Sequence, residues 1–304
     1  MLIDKNMHRR TFIKKTSNTA LGMGLALSFS SGTIVKEEAL FFKISLAQWS
    51  LHRSLRSGKL STFDFPAKAK NDFDIHAVEY VNQFFIDKAK DHKYLKELKQ
   101  RTLDLNVENV LIMVDAEGEL GNQDKKARLQ AIENHYKWVE AAKFLGCSSI
   151  RVNLHGEGSR IDVAKAGEDS LVQLSDFAKD YAINIIVENH QSYSTHGDWL
   201  SKIMKNVNLK NCGTLPDFGN FYEYDRYQGV KDMMPFAKGV SAKSNNFDKQ
   251  GNETEIDYIK MLQIVKNAGY TGYIGIEYEG TNDDEDKGIR LTKELLIKTA
   301  RELK

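Results

Sequence analysis

From residue 43 onward the chain alternates two hydrophobic patterns. Runs with adjacent apolar residues, the mark of strands buried on both faces, occur at 43–51 (KISLAQWSL), 77–82 (AVEYVN), 109–115 (NVLIMVD) and 149–156 (SIRVNLHG). Four more follow at 184–190 (NIIVENH), 212–220 (CGTLPDFGN), 238–244 (KGVSAKS) and 273–280 (YIGIEYEG). Between the runs lie segments with apolar residues at helical spacing. In 124–146, Leu129, Ile132, Tyr136, Val139 and Phe144 share a stripe that Gly146 ends, and 256–269 and 288–304 repeat the design. Strand-helix alternation predicts an α/β fold with a parallel sheet, and eight such units predict its closed form, a (β/α)8 TIM barrel, as a single domain over 39–304. A doubly wound open sheet is the competing architecture. Its dinucleotide-binding version is disfavoured because AQWSLHRSL, not a glycine-rich loop, follows the first strand.

The strands share a habit at their ends. Ile183, Ile185, Ile186 and Val187 run without a turn residue into Glu188, Asn189 and His190. In a barrel the C-terminal ends of the strands surround the mouth where active sites lie, so polar groups there are aimed into one space. Glu79 and Asn82 follow the pattern, as do Asp217, Asn220, Ser241, Lys243, Glu277 and Glu279. Arg151, Asn153 and His155 fall on one face by their period of two, with Val152 and Leu154 on the other. A single buried acid is usually a satisfied structural residue. Acids closing strands 5, 6 and 8 together would repel one another unless a cation sits among them.

Composition narrows the partner. The 304 residues are 41% apolar and 28% charged, which is globular, and 43 basic against 42 acidic residues leave a net charge of +1. That balance offers no electrostatic case for nucleic acid or an anionic membrane, so a small molecule is expected. Cys147 and Cys212 precede different strands, and no disulfide between them is expected.

The segments LAQWSL, VEYVN, IIVENH, LPDFGN and IGIEYEG resemble the sugar phosphate isomerase/epimerase group of xylose isomerase-like TIM barrels, over roughly residues 43 to 300. The resemblance implies one divalent metal, Mn2+, Mg2+ or Zn2+, held by Glu, Asp, His and Glu from strands 5 to 8. Carried over, the acids are Glu188, Asp217 and Glu277. It also implies proton transfer next to a carbonyl, through an enediolate, with Glu188 and Glu277 as the acid-base pair; the export expected from the N-terminus narrows the substrate to a free sugar or keto-sugar. Trp49, Glu79, Arg151, Asn153, His155, His190, Asn220 and Lys243 are the expected substrate contacts.

One position departs from the group. Where strand 7 usually carries His two residues before Lys, this chain reads Ser241-Ala242-Lys243. A serine hydroxyl is a weak ligand beside an imidazole, which leaves two arrangements. Either three carboxylates hold a hard cation completed by water and substrate, or Lys243 is itself the internal cation. Two other functions share the framework: a 3-keto-glycoside lyase or hydrolase that begins with the same proton abstraction, and a sugar-binding protein without turnover. A metal-dependent endonuclease is disfavoured by the missing histidine and the balanced charge. A homo-oligomer remains open.

The N-terminus is of another kind. Arg9 and Arg10, followed by Thr11, Phe12, Ile13 and Lys14 and a short apolar stretch, resemble a twin-arginine export signal, so residues 1–38 are set apart as signal and linker and the mature protein is expected in the periplasm, free of the membrane. A receptor that reads paired guanidinium groups accepts lysine poorly. The Arg9→Lys/Arg10→Lys variant is therefore expected to stay in the cytoplasm, as fractionation would detect. Normal periplasmic delivery of that variant would refute the export reading.

Overall fold

The computed structural model describes residues 39–281 and 284–303; the expected export segment lies outside the described residues. The strands are β1 (Lys43–Ala47), β2 (Ala77–Val81), β3 (Glu108–Val114), β4 (Ser149–Val152), β5 (Asn184–Glu188), β6 (Cys212–Leu215), β7 (Val240–Ser244) and β8 (Tyr273–Tyr278). Between and after them come α1 (His52–Arg56), α2 (Phe65–Phe73), α3 (His92–Leu105), α4 (Lys125–Leu145), α5 (Arg160–Lys179), α6 (Gly197–Val207), α7 (Arg226–Met233), α8 (Tyr258–Asn267) and α9 (Glu285–Glu302). Six helices start where an Asp or Ser side chain accepts a backbone N–H of the first turn: Asp91, Asp124, Ser159, Asp225, Asp257 and Asp284. The long predicted helix ends at Gly146, whose φ of 90° only a residue without a Cβ adopts freely.

All the laddered pairs are parallel, in the order β6-β5-β4-β3-β2-β1-β8-β7. The circuit closes between β6 and β7 through isolated bridges at Thr214 with Ala237 and Asp217 with Ser241. Pro216 explains the weak seam. It has no N–H to give a ladder, but its carbonyl accepts from the Ser241 N–H at 2.9 Å, and the Phe218 N–H reaches the Ser241 carbonyl at 3.1 Å. The expected barrel is present, with Asp217 and Ser241 brought side by side at its seam.

The predicted strands mostly overrun the observed ones at their C-terminal ends. Asn153, His155, His190, Asp217, Asn220 and Glu279 all lie past the last laddered residue. Apart from His190, their polar groups make contacts with neighbouring elements around the mouth instead of continuing the sheet.

Two apolar layers hold the barrel. The larger lies between strands and helices, where Leu46, Tyr80, Ile112, Ile150 and Ile276 meet residues such as Phe65, Leu98, Trp138, Leu174 and Leu296. The smaller fills part of the interior with Ala47, Val81, Leu111, Met113, Ile186 and Leu215. Burying a side chain such as Leu or Phe contributes about 1.5–3 kcal/mol, so the outer layer carries most of the stability. The rest of the interior is polar, with Ser45, Glu79, Arg151, Glu188, Ser241, Lys243 and Glu277 all buried. Both cysteines are buried and unpaired, as expected. Among the described residues no helix is long and apolar enough to cross a membrane.

Glu79 shows what this interior costs. It follows a register shift between β2 and β3, and its carboxyl fills the space over Gly275, where a Cβ would stand 2.5 Å from Glu79 Oε2. Ser45 Oγ donates to Oε1 at 2.5 Å, while Oε2 has no hydrogen bond to a described residue. Burial pushes the Glu79 carboxyl up to about 7. Because the folded pKa lies above the unfolded one, the folded state binds the extra proton, and this contribution to stability falls as pH rises from about 4.5 to about 7, then levels off. The window spans on the order of 3 kcal/mol. Glu79→Gln, which cannot ionise, is expected to gain stability relative to wild type across that window, measured by urea unfolding at pH 5 and pH 8. An unfolding difference that does not change with pH would contradict the assignment.

Candidate active site

The acidic trio expected from strands 5, 6 and 8 converges. Glu188 ends β5, Asp217 follows β6 and Glu277 lies in β8, and one carboxylate oxygen from each lies within 4.8 Å of the others. All three are buried, so the trio could hold a metal ion. Asp217 is fixed by its own turn: Oδ1 accepts the N–H groups of Gly219 and Asn220, both at 2.8 Å. Asn189, the residue after β5, pins the same turn, accepting the Asp217 N–H at 2.7 Å and donating to the Asp217 carbonyl at 3.0 Å. Asparagine between Glu188 and His190 is thus a strut, a role the sequence did not reveal.

Protein cations meet the trio from two sides. Lys243 Nζ lies 3.1 Å from Glu277 Oε1, 3.3 Å from Glu279 Oε2 and 3.9 Å from Asp217 Oδ2. It also donates to Asn220 Oδ1 at 3.1 Å, and Asn220 Nδ2 in turn reaches Glu188 Oε1 at 3.3 Å. Arg151 Nε stands 2.8 Å from Glu188 Oε2, but neither atom has a well-formed hydrogen bond within the described residues. The Ser241 hydroxyl occupies the place where the resemblance implies an imidazole, at 2.8 Å from Asp217 Oδ2 and 3.2 Å from Glu277 Oε2.

These contacts separate the acids. Burial drives Glu188 well above the usual carboxylate range despite Arg151, and Glu277 and Asp217 add to the rise. Burial likewise lifts Asp217 to about 6 against the pull of Lys243. Glu277 moves the other way: burial would raise it, but Lys243 and Arg151 together outweigh burial and hold it below its ordinary value. Burial works against the Lys243 ammonium too, yet Asp217, Glu277 and Glu279 keep it charged.

Above the trio opens a cavity of about 390 Å³, bounded by Trp49, Asp115, Arg151, His190, Glu277 and Glu279 among others. Asn153 and His155 also line it. Glu79, Glu188, Asp217, Asn220 and Lys243 do not; they lie outside its lining. Trp49 is held by its indole N–H on Glu279, with His52 stacked at 5.1 Å and the Arg56 guanidinium at 4.9 Å from its ring. Burial, aided by Arg151, brings His190 down to about 4, so its imidazole is neutral, and its Nδ1 has no hydrogen-bond partner among the described residues.

Asp115 is the residue missed in the sequence. It accepts from Arg151 Nη1 at 2.6 Å, Asn153 Nδ2 at 2.7 Å and Gln83 Nε2 at 3.0 Å. Burial would raise its carboxyl, but Arg151 outweighs that and brings it to about 2. The signal was present, since strand 3 also runs from apolar residues into an acid.

The arrangement can do acid-base chemistry. Glu277, whose carboxyl is held down, and Glu188, whose carboxyl is pushed up, lie close together in the trio, and both fixed cations are engaged by carboxylates.

No curated protein sequence matches the chain. Among solved structures, the IolI protein with a bound zinc atom aligns with a TM-score of 0.69 at 16% identity, over 86% of this chain and 99% of that one. A D-tagatose 3-epimerase-like protein aligns at 0.66 and 20% identity, over 86% and 98%. The 3-keto-D-glucoside 4-epimerase of E. coli aligns at 0.62 and 14% identity, over 85% and 99%. At these identities the likeness establishes the fold. Residues 67–299, most of the barrel just described, match the family model for the xylose isomerase-like TIM barrel, and the chain belongs to that family.

Proposed function

We propose that the protein is a sugar isomerase or epimerase that moves a proton on the carbon next to a carbonyl, acting on a free sugar or keto-sugar. The observation that carries this reading is the split between Glu277, which borders the cavity, and Glu188 beside it in the trio. An enzyme that removes and returns a proton needs one carboxylate ready to accept and one carboxyl ready to donate, and opposed environments supply both near neutral pH. The epimerases named among the structural neighbours share this fold, which agrees with the reading.

In the reaction Glu277, which faces the cavity, takes the proton from the carbon. The C–H pair moves into the new C=C bond and the carbonyl oxygen becomes an enediolate oxygen. Glu188, kept protonated by burial, returns a proton from the other side of the trio. Asp115, Asn153, His155 and His190 bind hydroxyls, and Trp49 forms an apolar wall for the sugar ring. A divalent ion bound by Glu188, Asp217 and Glu277 would supply a Lewis acid for the developing oxygen charge, and three carboxylates without an imidazole suit Mg2+ or Mn2+ better than Zn2+.

Export by the Arg9-Arg10 signal would place the enzyme among free sugars and glycosides. A lyase acting on a 3-keto-glycoside is the second reading, favoured by the keto-glucoside substrate in the name of one structural neighbour. It starts with the same abstraction and ends in loss of the glycosidic group, so product analysis separates the two.

The test is incubation with a panel of sugars and 3-keto-glycosides in D2O, with and without added metal, read by NMR for deuterium at the exchanged carbon. Glu277→Gln and Glu188→Gln are each expected to fold and to lower exchange by at least about 10²-fold, the lower range for general acid-base catalysis. Full exchange in either variant would remove that residue from the mechanism, and no exchange with any sugar in wild type would remove the function.

A further inference from the structure

Ser241 and its neighbours surround the trio with groups of the chain itself. Arg151 stands 2.8 Å from Glu188, and Lys243 stands 3.1 Å from Glu277 and 3.9 Å from Asp217, while Asp115 and Glu279 share the same two cations. The space among the three acids is thus already faced by two internal cations.

The oxygens of the trio are occupied as well. Glu277 Oε1 faces the Lys243 ammonium, Glu277 Oε2 and Asp217 Oδ2 share the Ser241 hydroxyl, and Glu188 Oε2 faces the Arg151 guanidinium. Asp217 Oδ1 is spent on its own turn. An imidazole at position 241 would have pointed a nitrogen donor into this space; serine points a hydrogen-bond donor at the carboxylates instead.

Arg151 differs from Lys243 in one respect. It borders the cavity, where Lys243 does not. Its Nη1 is bound by Asp115 and Asn153 and its Nε lies against Glu188, which fixes the plane of the guanidinium, while Nη2 makes no hydrogen bond to a described residue. A planar donor held on two edges with a third left over is suited to an oxygen that gains charge in the transition state.

We propose that the chain carries its own replacement for the family's metal: Lys243 is the positioning cation that holds Asp217 and Glu277 together, and Arg151 is the electrophile that receives the enediolate oxygen. The part played by Arg151 rests on the function proposed above; the part played by Lys243 does not. The step balances without a further reactant. The C–H bond breaks, its proton goes to Glu277, the electron pair forms the C=C bond, and the carbonyl π pair becomes an oxygen lone pair hydrogen-bonded by Arg151. Reprotonation at carbon reverses each change.

Two measurements on the chelator-treated full-length protein test this. The first is calorimetric titration with MnCl2 and with MgCl2 of wild type, Lys243→Met and Ser241→His/Lys243→Met. Wild type is expected to bind neither ion more tightly than about 1 mM, which corresponds to roughly −4 kcal/mol. Lys243→Met is expected to gain at least about 10-fold in Mn2+ affinity, and the double variant more, because an imidazole then joins the carboxylates. Micromolar Mn2+ binding by wild type would overturn the proposal whether or not the variants fold, and so would absence of binding in both folded variants.

The second measurement is deuterium exchange into the best sugar of the panel with chelator present. Wild type is expected to retain exchange, and Arg151→Lys to lose at least about 10²-fold in kcat with KM changed much less, the range seen when one oxyanion donor is removed. Exchange in wild type that vanishes with chelator and returns with Mn2+ would overturn it. If no sugar exchanges under any condition, the proposed function and the role of Arg151 fail together, while the titration still decides whether Lys243 fills the metal's place.

Discussion

The constraint on which this molecule depends is the burial of several carboxyl groups in one barrel. Ionised carboxylates are costly inside a protein, and two fixed cations do not neutralise all of Glu79, Asp115, Glu188, Asp217, Glu277 and Glu279. The chain answers in three ways. Arg151 bridges Asp115 and Glu188, Lys243 gathers Asp217, Glu277 and Glu279, and Glu79 and Glu188 keep their protons into a higher pH range. The differences in acidity that make acid-base chemistry available are therefore the result of this incomplete neutralisation.

The barrel makes that arrangement reproducible. Side chains pointing inward from neighbouring strands are held by the ladder, so Lys243 and Glu277 are partners in register on β7 and β8. The seam between β6 and β7 is the exception, and it falls at the site. Because Pro216 cannot donate, Asp217 is freed from the ladder and is placed by Asn189 and by its own turn, opposite Ser241. A position that could have ligated a metal instead completes a hydrogen-bonded junction.

The two layers around the strands divide the labour. Apolar contacts between strands and helices stabilise the fold, while the interior gives up much of its apolar filling to polar groups. Barrels of this kind are usually packed inside with bulky branched residues. Here Gly275 leaves room for a carboxyl, and the hydroxyls of Ser45 and Ser241 donate to buried acids. Stability is traded for a floor whose groups can hold and release protons.

Much of this is legible in the sequence, and the reason is periodicity. Eight apolar runs alternating with helical stripes point to a parallel α/β fold and favour the barrel over the open sheet, because burial on both faces and burial on one stripe leave different patterns. The acids Glu188, Asp217 and Glu277 are legible as well, since a carboxylate at the end of a buried strand is costly unless it faces the mouth or a cation. The strand ends read too long, because Asn153, Asp217 and Asn220 bind sideways to neighbouring elements, and no local pattern distinguishes that from a continued ladder. The strut role of Asn189 escapes, because it depends on a partner distant in sequence and adjacent only after closure, whereas Asp115 carried the same strand-end signal as the trio and only its partners Arg151 and Asn153 needed the fold to appear. Arg151, Asn220 and Lys243 read alike as substrate contacts in the sequence; of the three only Arg151 borders the cavity. The sequence by itself determined which groups face inward, because side-chain direction follows from the period of the strand. Which of them meet, and which carboxyl keeps its proton, was decided only by the tertiary structure, since Coulomb energies depend on distances that chain order does not contain.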